Sequence, residues 1–333
     1  MKILVTGGAG YIGSTVATAL AEAGHVPVVL DDLSRGTAAF TRGWHLYVGD
    51  FGDRALVRRI LGEHPDLHAT IHCGAKIIVP ESVAHPYDYY RTNVSKSLEL
   101  TDELLNLGLR RLIFSSSASV YAPSDSFEVH EDSPLAPASP YARTKMVLEM
   151  ALTDLAAATD VRVIMLRYFN PIGASPSLRS GVRDALPSHV LGRLVAAGRG
   201  DTESFVITGT DLPTRDGSGI RDYVHVWDLA RAHVAAVERF DEALAKDEES
   251  SSVINLGTGQ GVTVRELVAA FERVSGVTLA VDDGPSRPGD AIGSWANVDK
   301  AARLLRWRSE LGLDDGIASA LAWDRRRADV LAG

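Results

Sequence analysis

The sequence predicts an α/β fold: a doubly wound parallel sheet of strands and crossover helices, followed by a smaller mixed α/β lobe. Three observations carry that prediction. A short apolar strand at Lys2–Thr6 runs straight into a glycine-spaced loop and then a helix pattern. Strand and helix signals alternate as far as residue 170, the order that right-handed crossovers turn into a parallel sheet. Beyond residue 174 the elements become mixed, which divides the chain into 1–174 and 175–333, with some later segments expected to return to the first unit.

The loop after the first strand reads Gly7-Gly8-Ala9-Gly10-Tyr11-Ile12-Gly13, and the helix behind it runs through Ala23 until Gly24 stops it. Glycines spaced in this way let the backbone turn tightly, approach a pyrophosphate and pack helix closely against strand. Loop N–H groups and the helix N-terminus then face phosphate oxygens, so Gly7, Gly10, Tyr11, Ile12 and Gly13 are candidate cofactor contacts. The second strand, His25–Leu30, ends in Asp31-Asp32. An acid there accepts hydrogen bonds from adenosine ribose hydroxyls and repels a 2′-phosphate, which favours NAD over NADP. Trp44–Val48 is a third strand, leading through Gly49 to Asp50-Phe51, with the Asp50 carboxylate placed for an adenine amino group. This succession is that of a Rossmann-type sheet.

Leu67–His72 is the fourth strand, and small residues after it, Cys73-Gly74-Ala75, let the chain pass close to a cofactor. Cys73 reads as a packing residue, without a partner cysteine or base, and His72 reads equally as a satisfied strand-end histidine. Val83–Leu107 reads as largely helical and carries Asn93. The fifth strand, Arg111–Ser115, runs into Ser116-Ser117-Ala118-Ser119-Val120-Tyr121, and the C-terminal ends of parallel strands are where ligands bind. Next comes a helix with Ser139 as candidate N-cap and Pro140 at its first position. Tyr141 and Lys145, four residues apart, share a face of it. A tyrosine ordinarily titrates near 10, and a neighbouring cation favours its phenolate. Alone the pair fits any solvated helix face; after a glycine loop, an acid and a serine run it points to catalysis. The strand Val161–Leu166 follows, ending in Arg167-Tyr168-Phe169-Asn170.

Composition narrows the class. A net charge of −9 argues against general nucleic-acid or anionic-membrane binding, which needs basic surface. No apolar run approaches the roughly 20 residues that span a bilayer, and the apolar start turns into glycines too early for a signal-peptide core. One cysteine excludes an intramolecular disulfide, so a cytoplasmic enzyme is expected. The ten histidines show no ligand-spaced cluster, and no metal is expected. Asp247–Ser252 reads as a solvated loop, and later helices are expected at Pro187–Ala197, Val226–Arg239, Val264–Val274 and Asp299–Leu305.

The chain resembles the extended short-chain dehydrogenases/reductases, and most closely the UDP-glucose 4-epimerase family. The resemblance runs nearly end to end, through TGGAGYIGS (6–14), PESVAHPYDYYRTNV (80–94), FSSSASVY (114–121), SPYARTK (139–145), LRYFNPIGA (166–174), GIRDYVHVWDLA (219–230), NLGTG (255–259) and RPGD (287–290). It implies Ser117, Tyr141 and Lys145 as the catalytic trio. It implies that Asp31, Asp32, Asp50, Asn93, Lys145 and Tyr168 hold NAD, and that Asn170, Arg221, Tyr223, Arg287 and Asp290 hold the UDP part of a UDP-sugar. Phe51 joins the expected cofactor contacts, and the cofactor lysine of many relatives is replaced by Ile77, with Lys76 one place earlier. It further implies a homodimer packed through the Val83–Leu107 and Tyr141–Ala158 helices.

The match weakens over 175–192, where Arg179, Arg183 and, just beyond, Arg193 appear. They read either as solvated arginines or as partners for a sugar C6 carboxylate, since arginine suits bidentate carboxylate recognition; UDP-glucuronate or UDP-galacturonate then joins UDP-glucose and UDP-galactose as candidate substrate. Ser294 stands where some epimerases carry a bulky tyrosine, which would leave room for an N-acetylhexosamine such as UDP-GlcNAc. Two rivals bear on the reaction. Nucleotide-sugar dehydratases and UDP-glucuronate decarboxylases also oxidise C4, but resemblance to them would put an acid just before Val120-Tyr121. Ala118-Ser119 stand there, and cannot donate and accept the protons of a 5,6-elimination. A non-catalytic NAD-sensing protein on the same fold is the alternative of another class; such proteins often lose the tyrosine or lysine that this chain keeps.

Overall fold

Seven parallel strands form the central sheet of the computed structural model, which describes residues 1–333 except Leu186, Ser188, Glu248, 286–291 and Gly333. The strands are β1 (Lys2–Thr6), β2 (Val26–Asp31), β3 (His45–Val48), β4 (Leu67–His72), β5 (Arg111–Ser117), β6 (Arg162–Tyr168) and β7 (Ser251–Leu256). Their spatial order is β7-β6-β5-β4-β1-β2-β3, so the winding reverses between β1 and β4. Loops leaving strands on either side of such a reversal diverge and open a crevice at the C-terminal edge of the sheet. The central strands read as nearly unbroken apolar runs because helices cover both faces. Helices α1 (Tyr11–Glu22) and α3 (Val226–Glu238) pack with Ile3, Val5, Ile71, Ile113 and Ile164 on one face. On the other, Leu4, Val28 and Leu30 meet Val57, Ile60 and Leu100, while α2 (Pro140–Ala158) lays Leu148 and Leu152 on Phe114 and Met165.

Three expectations change. Asp247–Ser252 is not a solvated loop: a helix, Phe240–Asp247, ends there and β7 begins at Ser251. Ser252 is buried and its hydroxyl donates to Asp247 (2.6 Å), which also pairs with Lys300 at 2.8 Å, so Asp247 and Ser252 are anchored. The single helix expected over Val83–Leu107 is broken into Val79–Ala84, Pro86–Tyr90 and Lys96–Asn106, with a π turn at Arg91–Ser95. Pro86, lacking an N–H, ends the first piece. Finally, a 20-residue helix, α4 (Leu313–Ala332), had no counterpart in the sequence reading.

Short strands beyond the sheet bring distant segments together. Asn170–Ile172 pairs in parallel with Tyr223–His225, setting Asn170 opposite Tyr223. Ile220–Arg221 pairs with Gly293–Ala296, setting Arg221 opposite Ser294.

Candidate active site

The glycine loop fits a dinucleotide phosphate. Gly7 has φ +67°, and a Cβ there would lie 2.7 Å from the Gly74 backbone nitrogen. At Gly13 a Cβ would come within 2.2 Å of the Gly7 carbonyl oxygen. At Gly10 the nearest atom is 3.4 Å away, so the backbone there borders open space. Gly10 caps α1 without a side-chain hydrogen bond, and the first turn carries no acid. Its N–H groups, which a helix start always leaves over, are thus available to an anion. Tyr11 and Ile12 open α1, and their side chains turn elsewhere. The Tyr11 hydroxyl donates to the Gly173 carbonyl (2.7 Å), with its pKa pushed up by burial, and Ile12 packs into the apolar core.

Asp31, at the end of β2, is buried and accepts from the Ala9 N–H (2.9 Å) and the Leu33 N–H (2.8 Å). Burial raises its pKa, these two N–H groups oppose the rise, and Asp32 adds to it. Asp32 accepts from the Ser34 backbone at 2.9 Å. Asp50 accepts from Gly52 N–H (2.9 Å) and pairs with Lys96, so its carboxylate already has a cation. Phe51 packs edge-on against His72, 4.9 Å between centroids, beneath Gly74.

Asn93, an expected cofactor contact, stands behind the loop after β4. It is buried, its Oδ1 accepts from Lys76 N–H (2.8 Å), and its amide donates to the Lys76 carbonyl (2.9 Å) and Thr144 Oγ1 (3.0 Å). With both amide protons engaged, it shapes the loop after β4 and ties that loop to α2. Lys76 itself turns to Glu81.

Around the serine run the polar groups are densely connected. Ser139 caps α2 as expected, accepting from Ala142 N–H at 3.2 Å, with Pro140 in the first turn. Ser117 ends β5 and accepts from Ser119 N–H at 3.2 Å. Burial raises the Tyr141 pKa, and a hydrogen bond with Ser117 opposes the rise. Lys145 was expected to lower the phenol. Its ammonium is buried, donates to the Ser115 carbonyl at 2.7 Å and sits 4.7 Å from the Phe114 ring centroid; burial brings its own pKa down to about 8.

Tyr168, expected to hold NAD, belongs to a buried chain of polar groups. His233 Nδ1–H donates to the Leu229 carbonyl (2.8 Å), its Nε2 faces the Tyr168 hydroxyl, and that hydroxyl donates to Ser115 Oγ (2.6 Å). Ser115 also donates to Cys73, whose thiol is pushed up to about 11 by burial, as befits an unreactive packing residue. His72 is satisfied on both sides, by Thr6 (2.6 Å) and Ser97 (2.8 Å).

Toward the smaller lobe, Arg221 donates to the Ile220 and Ile292 carbonyls (2.7 and 2.8 Å). Tyr223 is buried, and among the described residues its hydroxyl has no hydrogen-bond partner; burial pushes its pKa up to about 12. Asn170 is exposed and Ser294 half-buried. Arg287 and Asp290 lie outside the described residues. The three arginines of the divergent segment are engaged elsewhere. Arg183 donates to the Gly36 carbonyl (3.0 Å), Arg179 to the Arg42 carbonyl while stacking on Trp44, and Arg193 lies over Phe205. None of these contacts points to a sugar carboxylate.

Sequence reasoning missed Asp222. It is fully buried and accepts from Thr258 N–H (2.7 Å), Thr258 Oγ1 (2.7 Å), Gly259 N–H (3.1 Å) and Ala296 N–H (3.1 Å), knotting the Arg221–Tyr223 segment to the strand of Ser294. The available signal was an acid between two candidate ligands in an apolar stretch. His233 and the Glu149–Arg167 pair gave no signal, because each takes its meaning from partners remote in sequence.

Comparison with known proteins agrees with this geometry. Residues 3–257 match the model of the NAD dependent epimerase/dehydratase family. The UDP-glucose 4-epimerase of Azospirillum brasilense is 40% identical over 326 residues, covering 97% of this chain and 92% of the relative. A crystal structure of UDP-glucose 4-epimerase from Stenotrophomonas maltophila, with bound NAD and formylated UDP-arabinopyranose, superposes with a TM-score of 0.93 at 36% identity over 99% of both chains. The Bifidobacterium longum UDP-glucose 4-epimerase, in complex with NAD+ and UDP, gives a TM-score of 0.91 at 32% identity over 99% of this chain and 100% of that one. The chain belongs to the NAD dependent epimerase/dehydratase family, as an extended short-chain dehydrogenase/reductase and an NAD-using isomerase of the UDP-glucose 4-epimerase kind.

Proposed function

We propose that the chain inverts C4 of a UDP-hexose, UDP-glucose and UDP-galactose being the interconverting pair, through a 4-keto sugar. The observation that carries this is Ser117 at the end of β5 with Tyr141 and Lys145 one turn apart at the start of α2, Lys145 bonded to the Ser115 carbonyl, and no carboxylate at 118 or 119. Bound NAD, cradled by the glycine loop and Asp31, supplies a hydride acceptor that returns what it takes. Tyr141 removes the proton of the C4 hydroxyl and later gives it back; Ser117 hydrogen-bonds the C4 oxygen throughout. Lys145 holds a positive charge against the strand carrying Ser117. Arg221, with Arg287, neutralises the diphosphate, a task suited to fixed guanidinium groups. The orphaned Tyr223 hydroxyl and Asn170, paired across adjacent strands, supply polar contacts to the nucleotide end. A sugar that must turn over between the two hydride transfers needs this tight grip on UDP and a loose one on the hexose.

The contacts of Arg179, Arg183 and Arg193 favour neutral hexoses over uronates, and half-buried Ser294 beside Arg221 leaves UDP-GlcNAc as a secondary substrate. The test is a panel of UDP-glucose, UDP-GlcNAc and UDP-glucuronate, with C4 epimers read by NMR. Turnover of UDP-glucose is expected, and loss of water or carbon dioxide from any of them would overturn the epimerase reading.

We also propose a homodimer. Helices Val79–Ala84 and Pro86–Tyr90 pack beside α2, and these three helices expose Val83 (64%), Tyr87 (74%) and Met150 (59%), apolar area that a second copy would cover. Light scattering at micromolar concentration would refute this by returning a monomer mass. No described helix is long and apolar enough to cross a membrane, and a cytoplasmic location is proposed from the single unpaired cysteine.

A further inference from the structure

The loop that follows Asp31 forms one wall of the adenosine side of the cradle. It lies directly on the glycine loop: Thr37 N–H donates to the Ala9 carbonyl (3.0 Å), and a Cβ on Gly36 would come within 2.8 Å of both Ala9 and the Asp31 carboxylate. Its outer side is held by segments far away in sequence. Arg183 donates to the Gly36 carbonyl, and Arg179 bonds the Arg42 carbonyl and stacks on Trp44. Both arginines sit on the segment that departs from the family pattern.

That segment is pinned in turn by α4. Trp323 is 2% exposed, donates its indole N–H to the Val182 carbonyl (2.8 Å) and fills the space beside Gly181, where a Cβ would meet its ring at 2.5 Å. The same ring meets Phe40 edge-on, 5.6 Å between centroids, so one side chain touches both the segment and the adenosine loop. Arg42 reaches back to the Val330 carbonyl (3.3 Å) near the end of α4.

We propose that Trp323 is the pin of a clasp that retains NAD: α4 and residues 179–183 hold the 36–42 loop down on Asp31, and the cofactor leaves when that loop lifts. Trp323 and Arg183 are positioning residues that touch neither substrate nor reacting atoms. The inference rests on the glycine loop and Asp31 being the cofactor cradle.

The test compares Trp323→Ala, Trp323→Phe and Arg183→Met with the parent. The readouts are bound nucleotide in the purified protein, the NAD dissociation rate, and hydrogen exchange at the Gly36–Arg42 amides. Trp323→Ala is expected to release NAD at least tenfold faster and to expose those amides, with kcat at saturating NAD within about twofold of the parent. Trp323→Phe keeps the ring and should lie near the parent; Arg183→Met should release NAD several-fold faster. If Trp323→Ala does not fold, Arg183→Met and the exchange rates decide. Parent-like NAD release and exchange in Arg183→Met, and in Trp323→Ala where it folds, would overturn the clasp while leaving the cradle intact. A parent protein that binds no NAD would overturn both.

Discussion

Replacing Arg167 by methionine tests how the active-site strand and helix are locked together. Arg167, on β6, and Glu149, on α2 one turn beyond Lys145, are both buried. The guanidinium donates from Nε to one carboxylate oxygen (3.0 Å) and from NH2 to the other (2.7 Å); its third nitrogen donates to the Glu131 carbonyl (3.0 Å), and its plane lies 4.8 Å from the Tyr121 ring centroid. Glu149 also accepts from Ser116 (2.5 Å), the neighbour of Ser117. Methionine fills much of the same volume but leaves the Glu149 carboxylate buried with a single hydroxyl donor. Breaking a buried pair from one side costs about 3–5 kcal/mol, because the surviving charge is uncompensated. At an m-value of about 3 kcal/mol per molar that is a fall of roughly 1–1.7 M in the urea midpoint. Removing both charges, in Arg167→Met with Glu149→Leu, should recover much of the loss, since apolar replacements of buried pairs are often neutral. Urea unfolding of the two singles and the double measures this. A midpoint for Arg167→Met within about 0.3 M of the parent would refute the reasoning.

Other outcomes follow from the same structure. Tyr141→Phe removes the proposed proton acceptor and should cut turnover by about 10²–10⁴ with NAD and UDP-sugar binding kept, as calorimetry and kinetics can separate; near-normal turnover would sink the mechanism. Gly13→Ala forces a Cβ to within 2.2 Å of the Gly7 carbonyl and should abolish NAD retention, visible as loss of bound nucleotide on purification. His72 and His233 are buried and neutral, with pKa values brought down by burial from the ordinary 6.5 to about 3 and about 4. The unfolded chain therefore binds protons that the native one refuses: their stabilisation is complete above 6.5 and is lost as pH falls toward 4. The slope is about 1.4 kcal/mol per pH unit for each, or roughly 2.5 kcal/mol between pH 6 and 5, and a flat Tm across that interval would contradict it.

The sheet was legible because buried parallel strands announce themselves as short apolar runs, and Gly7 and Gly13 because a Cβ there would meet the backbone of Gly74 or the Gly7 carbonyl. The Tyr141–Lys145 helix was legible from its local capping by Ser139. What escaped depended on tertiary partners. β7 hid behind an acidic, serine-rich run, of which Asp247 is held by Lys300 and Ser252. α4 is charged over most of its surface and owes its placement to Trp323 and Ile317. The family motifs say where Asn93 and Tyr168 lie, not which way their hydrogen bonds run; the internal bonds of both to neighbouring segments were not legible.

Internal hydrogen bonding also bears on why reversible oxidation is the reaction this site suits. Elimination would need an acid and a base beyond Tyr141, and positions 118 and 119 offer a methyl and a hydroxyl. The carboxylates nearest the serine run and the nucleotide side, Glu149 and Asp222, are committed: one to Arg167 and Ser116, the other to three backbone N–H groups and Thr258. A carboxylate with all its hydrogen bonds made inside the protein is a poor proton shuttle, because each transfer would leave buried donors unpaired. Under the proposed mechanism Tyr141 is left as the group that can exchange a proton with C4, and Ser117 as the hydroxyl that can follow the oxygen from alcohol to ketone and back. Under the same proposal, the hydrogen bonds that hold Asp222 between Arg221 and Tyr223 keep the nucleotide end fixed while the hexose turns.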